Sequence, residues 1–276
     1  MNINRIAILG SGSMGTAILS GLLASGFDSS KVTITTKTQA NADKLADELG
    51  VTAIAIETEA SANADAVTDA DVILVAVKPA YVLEVLREAS HQLKADGLVI
   101  SVAAGITTAS MEGAVPATVA VVRSMPNTPA IVGRAVTGIS TGSRVSEEQL
   151  ETALELFETV GRVVVLPEEQ IDALSTISGS GPAYVFYLIE QLTLAAREMG
   201  FAEDVAAMLV EETFAGATEL LSASNQSPEA LRKQVTSPNG TTMQAVAVLE
   251  QAELARVFSK ATEAALARAK EIASGK

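Results

Sequence analysis

The sequence predicts an α/β domain built on a doubly wound parallel sheet, followed by an all-α region, and three observations predict it. Short apolar runs alternate with helical stretches through the first 166 residues, the rhythm of strands and crossover helices. Beyond that point helical periodicity takes over and little reads as strand. The residues available for a core are aliphatic: 48% of the chain is hydrophobic but only 3% aromatic, with no Trp. Such a composition suits helices packed on a parallel sheet.

Taken in order, Arg5 to Leu9 reads as a strand and Met14 to Ser25 as a helix closed by Gly26. Val32 to Thr36 is strand-like, Ala40 to Leu49 is an amphipathic helix, and Gly50 is its expected stop. Val51 to Ala55 reads as a third strand. Asp71 to Val77 is the clearest buried strand and ends at Lys78-Pro79. Leu98 to Ala103 and Val119 to Arg123 follow as two more. The later helices are expected at 183–199, 202–223, 228–235, 242–251 and 253–273. In the last, Leu254, Val257, Phe258, Ala261, Ala265, Leu266, Ala269 and Ile272 form an apolar stripe suited to a core or a subunit interface. Two domains are therefore expected, 1–166 and 167–276, and the long Ala-rich helices of the second suit a homo-oligomer.

Composition excludes several classes. A net charge of −14 argues against nucleic acid and anionic membrane surfaces as partners. The absence of cysteine excludes disulfides, thiolate nucleophiles and Cys-ligated zinc. No apolar run approaches the roughly 18 residues of a membrane span, and Met1 to Arg5 leads into a strand without a targeting pattern. A cytoplasmic protein is the expectation, without a metal site.

The strongest local signal is Gly10-Ser11-Gly12-Ser13-Met14-Gly15, a G-x-G-x-x-G element between a strand and a helix. It marks a Rossmann dinucleotide-binding domain. Gly10 permits the tight turn, Gly12 lets backbone approach the pyrophosphate, and Gly15 lets helix and strand pack closely. Free N–H groups and the helix dipole then supply positive potential in an acidic protein. At the end of the second strand, Thr35-Thr36-Lys37-Thr38 stands where NAD sites place an acid. Hydroxyls and an ammonium group hold a 2′-phosphate, which a carboxylate repels. Thr36 and Lys37 therefore point to NADP(H), with NAD(H) accepted less well.

Acid–base machinery is sparse. The single histidine, His91, lies in a polar stretch and suits a surface helix. Hydride transfer needs orientation and electrostatics more than a strong base. Three unusual segments remain: Arg123-Ser-Met-Pro-Asn-Thr-Pro129 after a strand, Ser178-Gly-Ser-Gly-Pro-Ala183 as a loop before a long helix, and Ser237-Pro-Asn-Gly-Thr-Thr242, which opens another. Open α/β sheets place ligands in loops like the first. The N–H groups of the last would cradle a carboxylate, with Thr241 and Thr242 offering hydroxyls. An ordinary helix cap is the plain alternative for the last two.

Together and in this order, these segments resemble the pyrroline-5-carboxylate reductases, and the likeness runs through nearly the whole chain. Val75-Ala-Val-Lys-Pro79 and Ser101-Val-Ala-Ala-Gly105 add to it. The resemblance implies a Rossmann domain followed by an all-α C-terminal dimerisation domain, in a homodimer or larger assembly with a shared active site. It places phosphate and ribose contacts on Gly10 to Gly15, Thr36 and Asn63. The nicotinamide side falls on Ala76, Val77, Lys78 and Pro79 with Val102, Ala103 and Ala104. The substrate carboxylate falls on Asn239, Gly240, Thr241 and Thr242, with Ser237 nearby and the Thr242 hydroxyl facing the pyrroline nitrogen. Two departures stand out. Asn239 occupies a place where many relatives have glycine, and Asn tolerates the left-handed backbone that such a turn needs. Asn225 falls near a place where some relatives carry a substrate-binding acid.

The implied reaction is reduction of 1-pyrroline-5-carboxylate to L-proline by NADPH. A β-hydroxyacid dehydrogenase is one rival, requiring a catalytic lysine for which Lys233 and Lys260 are the candidates. A dinucleotide-sensing regulator without chemistry is another, though it would have no need for a carboxylate cradle.

Overall fold

The computed structural model describes residues 3–273, with side chains to Glu271; Ile272 of the apolar stripe therefore lies outside the described side chains. The chain forms two compact units, one of residues 1–180 with 265–276, the other of residues 181–264.

The first unit carries an eight-stranded sheet. Its strands are β1 (Ile6–Leu9), β2 (Val32–Thr36), β3 (Thr52–Ala55), β4 (Val72–Val75), β5 (Leu98–Ser101), β6 (Ala120–Met125), β7 (Ala135–Thr141) and β8 (Gly161–Val165). They lie in the order β3-β2-β1-β4-β5-β6-β7-β8. The first six are parallel, β7 runs antiparallel to β6, and β8 is parallel to β7. The order reverses between β1 and β4, where Ile6 pairs with Val72 and Leu9 with Val75. Open sheets of this kind bind ligands at that switch point, outside the carboxyl ends of the strands.

Successive strand residues point to opposite faces, so an apolar run feeds two cores at once. Ile6, Ile8, Ile34, Leu74, Ile100 and Val122 face one side. There they meet Ile18 and Leu22 of α1 (Ser13–Ala24) and Phe157 of α6 (Glu147–Glu158). Ala7, Leu9, Ile73, Val75, Val99 and Val121 face the other, against Leu86 of α4 (Val82–Ala89) and Met111 of α5 (Thr108–Glu112). Each of these side chains larger than Ala contributes roughly 1.5–3 kcal/mol of burial. Helix α2 (Gln39–Leu49) begins at Thr38, whose hydroxyl accepts from Asn41 N–H, and stops at Gly50 in the left-handed conformation (φ 66°). Helix α3 (Ala62–Val67) lies beside β1 and β2, and α6 starts with a full capping box between Ser146 and Gln149.

Two features depart from the sequence reading. Strands β7 and β8 were not expected. Gly138 lies in the middle of β7, where a Cβ would come within 2.8 Å of the Leu174 side chain, so the bare backbone lets α7 (Glu168–Leu174) pack on the sheet. Nor is Ser178–Ser180 a loop: α7 runs on into a π-helical turn, Ser175–Gly179, closed by Ser180 N–H donating to Ser175 O at 2.8 Å. Helix α7 is held down by Arg123, a buried cation on β6 that pairs with Asp172 and lies 3.5 Å from Glu168. By this packing the sheet unit extends to Ser180. His91 sits on an exposed turn after α4 rather than on a helix.

The second unit is helical: α8 (Gly181–Glu198), α9 (Glu203–Ala223), α10 (Pro228–Gln234), α11 (Thr241–Gln251) and the start of α12 (Leu254–Ala273). Pro182 occupies the first turn of α8, as expected. Within 181–264 only Ala206 and Val210 are buried. Phe186, Tyr187, Leu192, Met199 and Phe258 are all more than two-fifths exposed.

Candidate active site

The glycine turn joins β1 to α1 as its sequence required. Gly10 has φ 103°, and a Cβ on it would stand 3.0 Å from the Ala76 backbone. A Cβ on Gly15 would stand 2.4 Å from Gly10 O and 3.1 Å from Ala76 Cβ, so helix and turn touch only because that atom is missing. Gly12 differs: a Cβ there meets nothing within 4 Å. It is the N-cap of α1 and makes no side-chain cap bond. The helix start is left open, with bare backbone where a pyrophosphate would sit. These residues fit a dinucleotide.

Around the turn the structure gathers the other expected residues. Buried Thr35 accepts from Gly10 N–H (3.2 Å) and donates to Asn63 Oδ1 (2.9 Å), which ties Asn63 to the glycine turn. Asn41 donates from Nδ2 to both Ser11 Oγ (2.8 Å) and Thr36 Oγ1 (2.7 Å). Thr36 is buried, whereas Lys37 is exposed and makes no ion pair among the described residues. Ala76 N–H donates to Leu9 O at 2.8 Å and Val102 N–H to Val75 O at 3.1 Å. Ala76–Pro79 and Val102–Ala104 thereby extend β4 and β5 on the same carboxyl edge. Ala103 N–H is bonded to Ser101 Oγ at 3.2 Å. Asn41 was not singled out from the sequence, and Thr35 was read only as part of the Thr35–Thr38 run, not as the link from Gly10 to Asn63. The only available signal was polarity just outside an apolar strand and at the first turn of a helix.

In the helical unit the Ser237–Thr242 turn has the predicted form. Asn239 is left-handed (φ 58°). Gly240 is the N-cap of α11 and its N–H donates to Ser237 O at 3.0 Å. The Ser237 hydroxyl is folded against Gly240, 2.5 Å from where a Cβ would stand. No side chain caps α11. Thr241 is exposed and Thr242 partly exposed, and neither hydroxyl is hydrogen-bonded among the described residues. Asn225 lies on an exposed bend. Lys233 is exposed and pairs with Glu229 at 2.7 Å on its own helix, and Lys260 is exposed on α12. Neither has the surroundings of a catalytic lysine. Among the described residues, no group of acids and histidine could hold a metal ion.

Fold and turn together define a dinucleotide-dependent oxidoreductase of the Rossmann class with a helical second unit. A family model for pyrroline-5-carboxylate reductase dimerisation matches residues 168–272, and one for NADP oxidoreductase, coenzyme F420-dependent, matches residues 5–105. The chain belongs to the pyrroline-5-carboxylate reductase family. It is 36% identical to the pyrroline-5-carboxylate reductase of Corynebacterium melassecola, over 98% of this chain and 99% of that one. A solved reductase of this family from Coxiella burnetii superposes with a TM-score of 0.91 at 36% identity, covering 98% of both chains. The Plasmodium falciparum pyrroline carboxylate reductase, solved with NADP bound, gives 0.84 at 25% identity, covering 99% of this chain and 98% of that one. The exposed apolar helix faces of residues 181–264 are those of a dimerisation module, and the protein is a homo-oligomer. No described helix is long and apolar enough to cross a membrane.

Proposed function

We infer that the chain catalyses the reaction for which its family is named, reduction of 1-pyrroline-5-carboxylate to L-proline with NADPH. One observation carries the substrate end: the uncapped start of α11, with left-handed Asn239, Gly240 as N-cap, and two hydroxyls free of internal partners. A small carboxylate is the ligand such a start binds, through free N–H groups and the helix dipole.

When bound, the reduced nicotinamide supplies hydride to the imine carbon. The ring nitrogen becomes an amine, either as an iminium already protonated or by taking a proton from water. Gly10 to Gly15 hold the pyrophosphate, Thr36 and Lys37 the 2′-phosphate, and Asn63 the adjoining ribose and phosphate. Ala76 to Pro79 and Val102 to Ala104 line the nicotinamide side. Ser237, Asn239, Gly240 and Thr241 grip the substrate carboxylate, and Thr242 hydrogen-bonds the ring nitrogen. Fixing the carboxylate aims one ring face at the hydride donor, so positioning supplies much of the catalysis. A second copy of the chain completes each site. Support for this comes from the uncovered apolar faces of α8, α9 and α12, which flank the α11 turn in sequence. The acidic composition suits a cytoplasmic enzyme with small-molecule partners, acting on neither nucleic acid nor membrane.

Thr242→Ala tests the assignment. Loss of one polar contact to the reacting ring costs roughly 1–3 kcal/mol, or about 10- to 100-fold in kcat/KM. An unchanged kcat/KM in a spectrophotometric assay of NADPH oxidation by pyrroline carboxylate refutes it.

A further inference from the structure

The corner between β2 and α2 contains an acid that the reading above leaves without a role. Glu57 follows β3, and its N–H donates to Lys37 O at 3.3 Å, so it stands directly beside the 2′-phosphate residue Lys37. Its exposed side chain turns to the start of α2, where Oε1 accepts from Gln39 N–H at 2.5 Å. The neighbouring Thr58 hydroxyl donates to Gln39 Oε1 at 2.9 Å, and Gln39 Nε2 donates to Asp43 at 2.8 Å, which fixes the corner. A carboxylate thus occupies a helix-start N–H that a phosphate oxygen would otherwise take. Its charge opposes the single ammonium of Lys37.

We propose that Glu57 sets the balance between NADPH and NADH: its carboxylate competes with the 2′-phosphate and holds NADPH affinity down, keeping NADH usable. This rests on the cofactor reading above. NADH carries no 2′-phosphate, so the effect is confined to NADPH.

The test is direct binding to the full-length oligomer, followed by reduced-nicotinamide fluorescence, for wild type, Glu57→Gln and Glu57→Ala. Gln keeps an acceptor for Gln39 N–H and removes only the charge; Ala also frees the N–H. The ratio Kd(NADH)/Kd(NADPH) is expected to rise about 3- to 10-fold in the Gln variant, the scale of one surface charge acting on a dianion, and at least as far in the Ala variant. A ratio that is unchanged or falls in both variants overturns the proposal. Turnover of pyrroline carboxylate, measured on the same preparations, separates the two readings. If neither cofactor supports turnover, the reductase assignment fails while the binding ratio still decides the role of Glu57.

Discussion

Gly12→Ala separates cofactor binding from folding in one substitution. Gly12 has φ −71° and ψ 177°, open to any residue, and its added methyl meets no protein atom within 4 Å. Two small folding terms oppose each other: Ala is a poorer N-cap than Gly, and it stabilises by about 0.4–1 kcal/mol through a less flexible unfolded chain. Thermal stability should therefore stay within about 2–3 °C of wild type. The methyl instead occupies the approach to the pyrophosphate. An overpacked contact costs about 1–3 kcal/mol, so Kd for NADPH should rise about 10- to 100-fold. Gly15→Ala is the contrasting control. Its methyl would lie 2.4 Å from Gly10 O, a backbone atom that cannot swing away. Helix α1 must back off the turn at about 3 kcal/mol or more, lowering Tm by roughly 6–12 °C as well as weakening the cofactor. Fluorescence titration with NADPH and a thermal melt read both variants. Unchanged NADPH affinity in Gly12→Ala, or a fall in Tm equal to that of Gly15→Ala, would refute the assignment of that space to the phosphates.

Two further outcomes follow from polar groups outside the cofactor site. Asn127→Ala removes both the donor to Ser178 O (2.8 Å) and the acceptor for Val136 N–H (2.8 Å). Urea titration should show a loss of about 2–5 kcal/mol, from two backbone groups left unpaired. A loss under about 1 kcal/mol would mean that water replaces the amide. Asp71 is partly desolvated, which raises its pKa, but bonds from Lys94 and from the N–H groups of Asn4 and Arg5 win, and the net shift is downward from 3.8. A carboxyl with a depressed folded pKa stabilises above its unfolded value, and that stability is lost as pH falls through the folded value. Asp71→Asn should therefore be less stable than wild type at pH 7, with the gap closing as pH falls below 3.8 through the depressed folded value. A stability gap that stays constant from pH 7 to pH 3 would assign the effect to packing instead.

Much of the sheet was legible because both of its faces are buried, and a strand buried twice reads as an unbroken apolar run. Val72 to Val77 is such a run, whereas Val32 to Thr36 carries three threonines and was legible by its β-branched residues. Two glycines of the triad were legible for a related reason: Gly10 and Gly15 each remove a particular collision, with the Ala76 backbone and with Gly10 O, and the strand-turn-helix context tells which. Partners distant in sequence carried no such mark. Asn41 reaches Ser11 across 30 residues, and Arg123 reaches Asp172 across 49. Nothing in the periodicity of either segment points to the other. Strand β7 escaped because Gly138 looks like an interruption until Leu174 is seen lying over it. The apolar stripe of α12 reads as core or subunit interface, and Leu254, Val257, Phe258 and Ala261 are exposed in the single chain. Periodicity marks an apolar face; it does not say which chain would cover it.

The segments Met125–Pro129 and Ser178–Ala183 stood as separate motifs in the sequence, and one missing hydrogen explains their connection. In a helix Ser178 O would accept from the N–H of residue 182, four places on, and that residue is Pro182, which has none. A part-buried carbonyl gains from a partner, and here the partner comes from elsewhere. Asn127 supplies it through Nδ2, and anchors itself by accepting Val136 N–H at the start of β7. The prolines on either side of Asn127 stiffen the segment that presents it. The proline of one motif thus creates the need that the asparagine of the other fills. The π-helical turn at Ser175–Gly179 sits at the same junction, where the i to i+4 ladder is already broken and an extra residue can be accommodated. Replacing Pro182 by Ala supplies the helical donor that proline lacks, and Asn127→Ala should then cost less in that background than in wild type. Equal losses in both backgrounds would show that the two motifs are independent.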